Sequence, residues 1–162
     1  MKRSLEQARV DQARIEQARI EQAASEHRNV PRAHGTLVFR YHRAPDGEGD
    51  VPAWLAGGAP RGAERAPDPT MNFSHVGVAF DDVAACADGD VLLFEVGIPG
   101  HDGRWRGGAH VLRVSPIPID ERDEFVVATH RIAVLLTVLP DEARSALQDY
   151  TTRVRQANGR VR

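Results

Sequence analysis

Between Met71 and Leu139 the chain is a succession of short β-branched and aromatic runs separated by turn-forming residues. This pattern restricts it to an antiparallel β fold. Asn72 to Phe80 alternates, placing Val76, Val78 and Phe80 on one face. Asp88-Gly89-Asp90 is a turn, Val91 to Ile98 reads as a buried strand, and Pro99 to Gly108 is a Gly-rich hairpin connection. Ala109 to Ser115 is the next strand, ended by Pro116 and Pro118. Glu124 to Leu139 is long enough for two strands meeting near Thr129 to Arg131. Upstream, Gly35 to His42 reads as a first strand. The expected sum is five or six antiparallel strands in a small barrel, because closure removes exposed edges. Pro140 then opens a helix at its preferred first-turn position, with Asp141 and Glu142 suiting the positive helix end. Ala143, Leu147, Tyr150 and Val154 give that helix one apolar stripe, and Asn158-Gly159 ends it.

The N-terminal segment is of another kind. Glu6-Gln-Ala-Arg-Val10, Asp11-Gln-Ala-Arg-Ile15 and Glu16-Gln-Ala-Arg-Ile20 repeat every five residues. The composition is strongly helical, and each acid precedes an arginine by three. Five residues turn an α-helix by ~500°, so Val10, Ile15 and Ile20 spread around the helix instead of forming a seam. We expect a solvated helix over residues 4–24, with self-association through it as the sharper alternative. Pro31 stops the helical region and keeps Val30 extended. Residues 43–71 form a long loop rich in proline and glycine, which Trp54-Leu55 is placed to pin to the core. The expected division is an extension over 1–26, a β domain over 27–158 that includes this loop, and a tail over 159–162.

Composition narrows the function classes. At 162 residues and 41% hydrophobic content, the chain can bury a core without disulfides. A formal net charge of −2 gives no bulk attraction to DNA or to anionic membranes. Runs such as Val91 to Val96 are far shorter than the ~20 residues of a membrane span, so no membrane insertion is expected. The N-terminus has no apolar signal region, and we expect a cytoplasmic protein. Cys86 is the lone cysteine, expected as a small buried residue. Twenty of the 21 basic residues are arginine, a bias of the coding sequence, so any one arginine needs a positional argument.

Two positional arguments exist. Arg28-Asn-Val-Pro-Arg32 has the form Arg-x-x-x-Arg just before the first strand. Asn72-Phe-Ser74-His-Val-Gly77 has the form Asn-x-Ser-x-x-Gly at the start of another. In this order, the pair resembles the two signature motifs of the PilZ domain. Asp88-Gly-Asp-Val-Leu-Leu-Phe-Glu-Val, His110-Val-Leu-Arg-Val, Ile132-Ala-Val-Leu-Leu and the last helix agree in outline, over about residues 27–155. The chain departs from the family in its long 43–71 segment, in Val78 where many members carry a second glycine, and over Asp120 to Arg131.

The resemblance implies a mainly β fold: a small six-stranded antiparallel PilZ-like barrel with a C-terminal helix and an N-terminal helical extension. It implies a receptor for cyclic di-GMP, without catalysis, cofactor or metal, that relays the signal to a downstream protein partner. The ligand-binding residues it implies are Arg28, Arg32, Asn72, Ser74 and Gly77. Their chemistry suits a ligand with two phosphodiesters and two guanines. Arginine forks match guanine O6/N7 or phosphate, where lysine offers a point charge. Asn72 and Ser74, two apart in a strand, point to one side, and Gly77 allows close approach.

Plainer readings stay open for each position. Arg28 and Arg32 also fit a solvated linker, Asn72 and Ser74 a local backbone partnership, and Gly77 a bulge. The alternative functions are a PilZ-like protein adaptor that needs no nucleotide, and a small β-barrel RNA-binding module. Other chemistry is thin. The seven histidines are scattered, and Ser74 with His75 faces opposite sides of a strand, which does not suit a catalytic triad. The acids Asp81, Asp82, Asp88 and Asp90 flank turns and are expected to be solvated.

Overall fold

The computed structural model describes residues 2–26, 29–122 and 127–160, with side chains omitted at 2–4 and 26. The chain divides into two compact units, Met1–Val30 and Pro31–Arg162. The first is a single helix, α1 (Lys2–Glu26). Its apolar residues Leu5, Val10 and Ile15 are exposed, as expected of a solvated helix, whereas Ile20 is buried. Gln7 donates to Asp11 and Gln17 to Glu21, so the polar faces are laced by contacts four residues apart.

The second unit is built on seven antiparallel strands: β1 (Ala33–Thr36), β2 (Val38–Arg43), β3 (Thr70–Phe73), β4 (Gly77–Asp82), β5 (Val91–Gly97), β6 (Trp105–Pro116) and β7 (His130–Val138). Their hydrogen-bonded order is β1-β3-β4-β7-β6-β5-β2. The two ends of this order, β1 and β2, are separated in the chain by Leu37 alone. The sheet therefore curls until its ends share one segment of chain, but no ladder joins β1 to β2 and the ring is not closed. The expected closed six-stranded barrel is thus an open seven-stranded sheet. The extra strand arises at Leu37, which is fully buried and donates its N–H to the Pro69 carbonyl at 3.0 Å instead of to a neighbouring strand.

Two other expectations change. The alternating run Asn72 to Phe80 is two strands, with Ser74 to Val76 in the turn between them. The stretch leading to Leu139 yields one described strand, β7, and residues 123–126 lie outside the described ones. The inward faces meet in one core, with Leu37, Tyr41, Phe73, Phe80, Phe94 and Ile132 almost fully buried.

Helix α3 (Asp141–Gly159) packs on this core with Ala143 and Leu147 buried and Tyr150 and Val154 against it, the stripe legible in the sequence. Pro140 caps the helix from outside with φ −53° and ψ 142°, so Asp141 and not Pro140 begins it. The Tyr150 ring stacks on Phe73 at 5.3 Å, and its hydroxyl donates to the Thr36 carbonyl at 3.0 Å. A methyl at Gly35 would lie 3.3 Å from Val154 Cγ1. These contacts lay the second half of α3 along β1.

The long segment after β2 is ordered. It contains a 3-10 turn (Gly47–Asp50) and the short helix α2 (Val51–Leu55). Trp54 pins it, buried in a second cluster with Ala44, Val51, Val91 and Leu93, while Leu55 stays exposed. The Trp54 indole N–H donates to the Phe94 carbonyl at 3.1 Å. Arg106 lies 3.8 Å over the indole ring and donates to the carbonyls of Trp54 and Gly58. Farther along, Arg65 pairs with Tyr41 as an isolated bridge.

Candidate ligand site

The turn joining β3 to β4 carries the Asn-x-Ser-x-x-Gly sequence. Its strands are held in register by Asn72 opposite Ala79 and Phe73 opposite Val78. The Ser74 N–H donates to the Gly77 carbonyl at 2.9 Å, and the Val76 N–H donates to Ser74 Oγ at 3.3 Å. This is the local serine turn that competes with strand geometry. Neighbouring elements tie the turn down. The Leu136 N–H of β7 donates to the Val76 carbonyl at 2.9 Å, and Arg144 of α3 donates to the His75 carbonyl at 2.6 Å. Burial lowers the Arg144 guanidinium from its ordinary pKa, as expected for a charge enclosed against backbone.

The structure separates Asn72 from Ser74. Asn72 is exposed and Ser74 has no solvent exposure, so the two do not share an open face as strand alternation suggested. The reason is that β3 ends at Phe73 and the turn rolls the hydroxyl inward. Gly77 is required by close approach. A Cβ there would stand 3.0 Å from the Val134 carbonyl oxygen of β7.

Arg32 sits one residue before β1, whose pairing of Ala33 with Phe73 and His34 with Asn72 aligns it beside the turn. Its guanidinium reaches over Gly77, 3.7 Å from where a Cβ would be. The structure thus brings together Arg32, Asn72 and Gly77, with Ser74 beneath them. Arg28 lies outside the described residues. His34, the second residue of β1 and two after Arg32, donates from Nδ1 to Asn72 Oδ1 at 3.1 Å, since an amide oxygen can only accept.

Arg32, Ala33 and His34 also form one wall of a cavity of about 280 Å³, whose other wall is Arg155, Asn158 and Gly159 near the end of α3. Asn158 makes a long hydrogen bond from Nδ2 to the His34 carbonyl, 3.5 Å. Sequence reasoning missed His34, Arg155 and Asn158. Two signals were there: the spacing of two between Arg32 and His34 at the start of a strand, and of three between Arg155 and Asn158 in a helix.

Away from this site, Asp82 departs from the expected solvated acid. It is buried, accepts from the Tyr41 hydroxyl at 2.8 Å, and accepts from both Nε and Nη2 of Arg65 at 3.0 and 2.9 Å. Cys86 is half-buried, and burial pushes its thiol up to about 11.

No family model matches the chain, and no curated protein matches it. A solved structure does: the inhibitor of motility (MotI/DgrA) of Bacillus subtilis, at 17% sequence identity and a TM-score of 0.55, over 81% of this chain. The chain spans about half the length of that structure, 52%. Among the described residues, no helix is long and apolar enough to cross a membrane. The likeness establishes the fold: a mainly β, PilZ-like architecture with an antiparallel sheet, an N-terminal helix and a C-terminal helix.

Proposed function

We propose that this chain is a non-enzymatic receptor for cyclic di-GMP. The observation that carries the reading is the Arg32 guanidinium held over Gly77, beside an exposed Asn72, on the turn that Ser74 and Gly77 shape. Among the described residues, Arg32 has no carboxylate or hydrogen-bond partner. Arg40, Arg43, Arg61, Arg65, Arg104 and Arg131 of this unit differ, each pairing with an acid. A planar fork without a partner, next to an amide, suits bidentate recognition of a guanine edge or a phosphodiester. Arg28 supplies the second fork. Asn72 meets the ligand directly, and Ser74 serves through the turn it holds. Ligand pins the Arg28 to Arg32 arm across the sheet, and this ordering is what a downstream protein partner reads. The fold likeness to an inhibitor of motility supports motility as the process controlled.

The test is calorimetric titration of the chain with cyclic di-GMP, beside Arg32→Ala and with GTP as control. Saturable binding that Arg32→Ala loses supports the receptor reading. No heat from folded protein at high ligand concentration overturns it, and moves the function to a protein adaptor that needs no nucleotide.

A further inference from the structure

We infer that Arg155 and Asn158, close to the end of α3, are ligand-binding residues that form the second wall of the same site and hold one phosphodiester of the ligand against Arg32. This rests on the receptor reading and adds to it a component that neither motif contains.

The cavity between β1 and α3 is cationic and amide-lined. Arg32 and His34 face Arg155 and Asn158 across it, and no carboxylate lines it. Arg155, like Arg32, is exposed and has no ion-pair or hydrogen-bond partner among the described residues. Two guanidiniums without an acid partner, on one cavity that no carboxylate lines, are a site for an anion. The cavity is also joined to the motif turn. His34 Nδ1 is engaged by Asn72, so its Nε2 is free to meet a ligand, and Asn158 keeps its Oδ1 and one N–H available.

Size sets the share of the ligand taken here. About 280 Å³ is just below the ~300–1,000 Å³ usual for small-molecule sites, and in this proposal it receives one nucleotide half of the ligand. The other half then lies over Gly77. A ligand bound in this way bridges the strand and the helix, and so holds the last turns of α3.

The experiment titrates cyclic di-GMP into the full chain carrying Arg155→Glu, Arg155→Lys or Asn158→Ala. Arg113→Glu, an exposed β6 site away from the cavity, is the charge-matched control. Arg155 is exposed, and unchanged melting temperatures will show that its variants fold. A lost charge-assisted hydrogen bond predicts roughly tenfold or greater weakening for Arg155→Glu, with the control within about twofold. Arg155→Lys should recover part of the loss, keeping the charge without the fork. Amide exchange at residues 155–160 should slow on ligand addition to the unmutated chain. Arg155→Glu binding as tightly as the control, while Arg32→Ala fails to bind, overturns the α3 assignment and leaves the receptor reading in place. Absence of binding by the unmutated chain overturns both.

Discussion

Gly77 and Ser74 are each set by a contact that can be removed singly. A methyl at position 77 would meet the Val134 carbonyl oxygen at 3.0 Å, and that oxygen belongs to strand backbone with little room to move. Gly77→Ala should therefore destabilise by about 1–3 kcal/mol, the usual effect of overpacking, seen as a lower denaturant midpoint. The same methyl would lie 3.7 Å from the Arg32 guanidinium, an ordinary contact, so the variant should act through the backbone of the turn and not by pushing the arginine away. Ser74→Ala acts differently. It leaves the buried Val76 N–H without its side-chain acceptor, at a cost of about 1–3 kcal/mol. If Ser74 works through the turn, the variant melts earlier yet binds cyclic di-GMP nearly as well at a temperature where it is folded. Binding lost from fully folded Ser74→Ala would instead make the hydroxyl a ligand contact, reached only after the turn opens.

At the scale of elements, what was legible in the sequence was whatever depends on neighbours in sequence. Helix α3 showed through its stripe of Ala143, Leu147, Tyr150 and Val154, and β5 through its continuous apolar run from Val91. The break at Leu37 was not legible, because Gly35 to His42 keeps strand composition across it. Only the distant Pro69 carbonyl decides where that backbone points. The β3–β4 turn was hidden for a similar reason, since alternation runs on through Val76 into Val78 and Phe80. Of the site, Arg32, Asn72 and Gly77 were implied by the resemblance to the PilZ motifs, whereas Arg155 and Asn158 depend on α3 docking beside β1, a tertiary fact. The segment between β2 and β3 is the clearest case. Its proline and glycine content suggests an irregular loop, but Trp54, Arg106 and Arg65 fasten it from a distance. Trp54→Ala should empty a buried site, costing roughly 3–5 kcal/mol if the whole unit responds, and less if the segment alone lets go. Limited trypsin treatment separates the two. Faster cleavage after Arg61, with the β signal in circular dichroism kept, shows local release of the segment.

For the Pro31–Arg162 unit as a whole, the Asp82 network governs the response to acid. Tyr41 comes from β2, Asp82 from the end of β4 and Arg65 from the inserted segment, so one carboxylate joins three distant parts of the chain. Burial alone would raise the Asp82 pKa. Hydrogen bonds from Arg65, Tyr41 and the Val83 N–H, with the Arg65 charge, outweigh it and leave the carboxyl below its ordinary value. The same pairing raises Arg65, and burial together with Asp82 carries the Tyr41 phenol far above its usual range. Because the folded state holds Asp82 below its unfolded pKa of ~4, the unfolded chain binds the proton more readily. The stabilisation is therefore complete above that unfolded value, and is lost as pH falls through the lower folded one. Neither Tyr41 nor Arg65 changes charge in this window, so the loss belongs to the carboxyl. Asp82→Asn should lower stability near neutral pH by roughly 1.5–3 kcal/mol, the scale of hydrogen bonds to a charged group. It should also flatten the dependence of stability on pH below ~4, where the unmutated chain loses this contribution. Denaturant titrations at a series of pH values from neutral to acid measure both effects. Parallel curves for the two proteins down to the lowest pH would show that Asp82 does not carry the acid sensitivity.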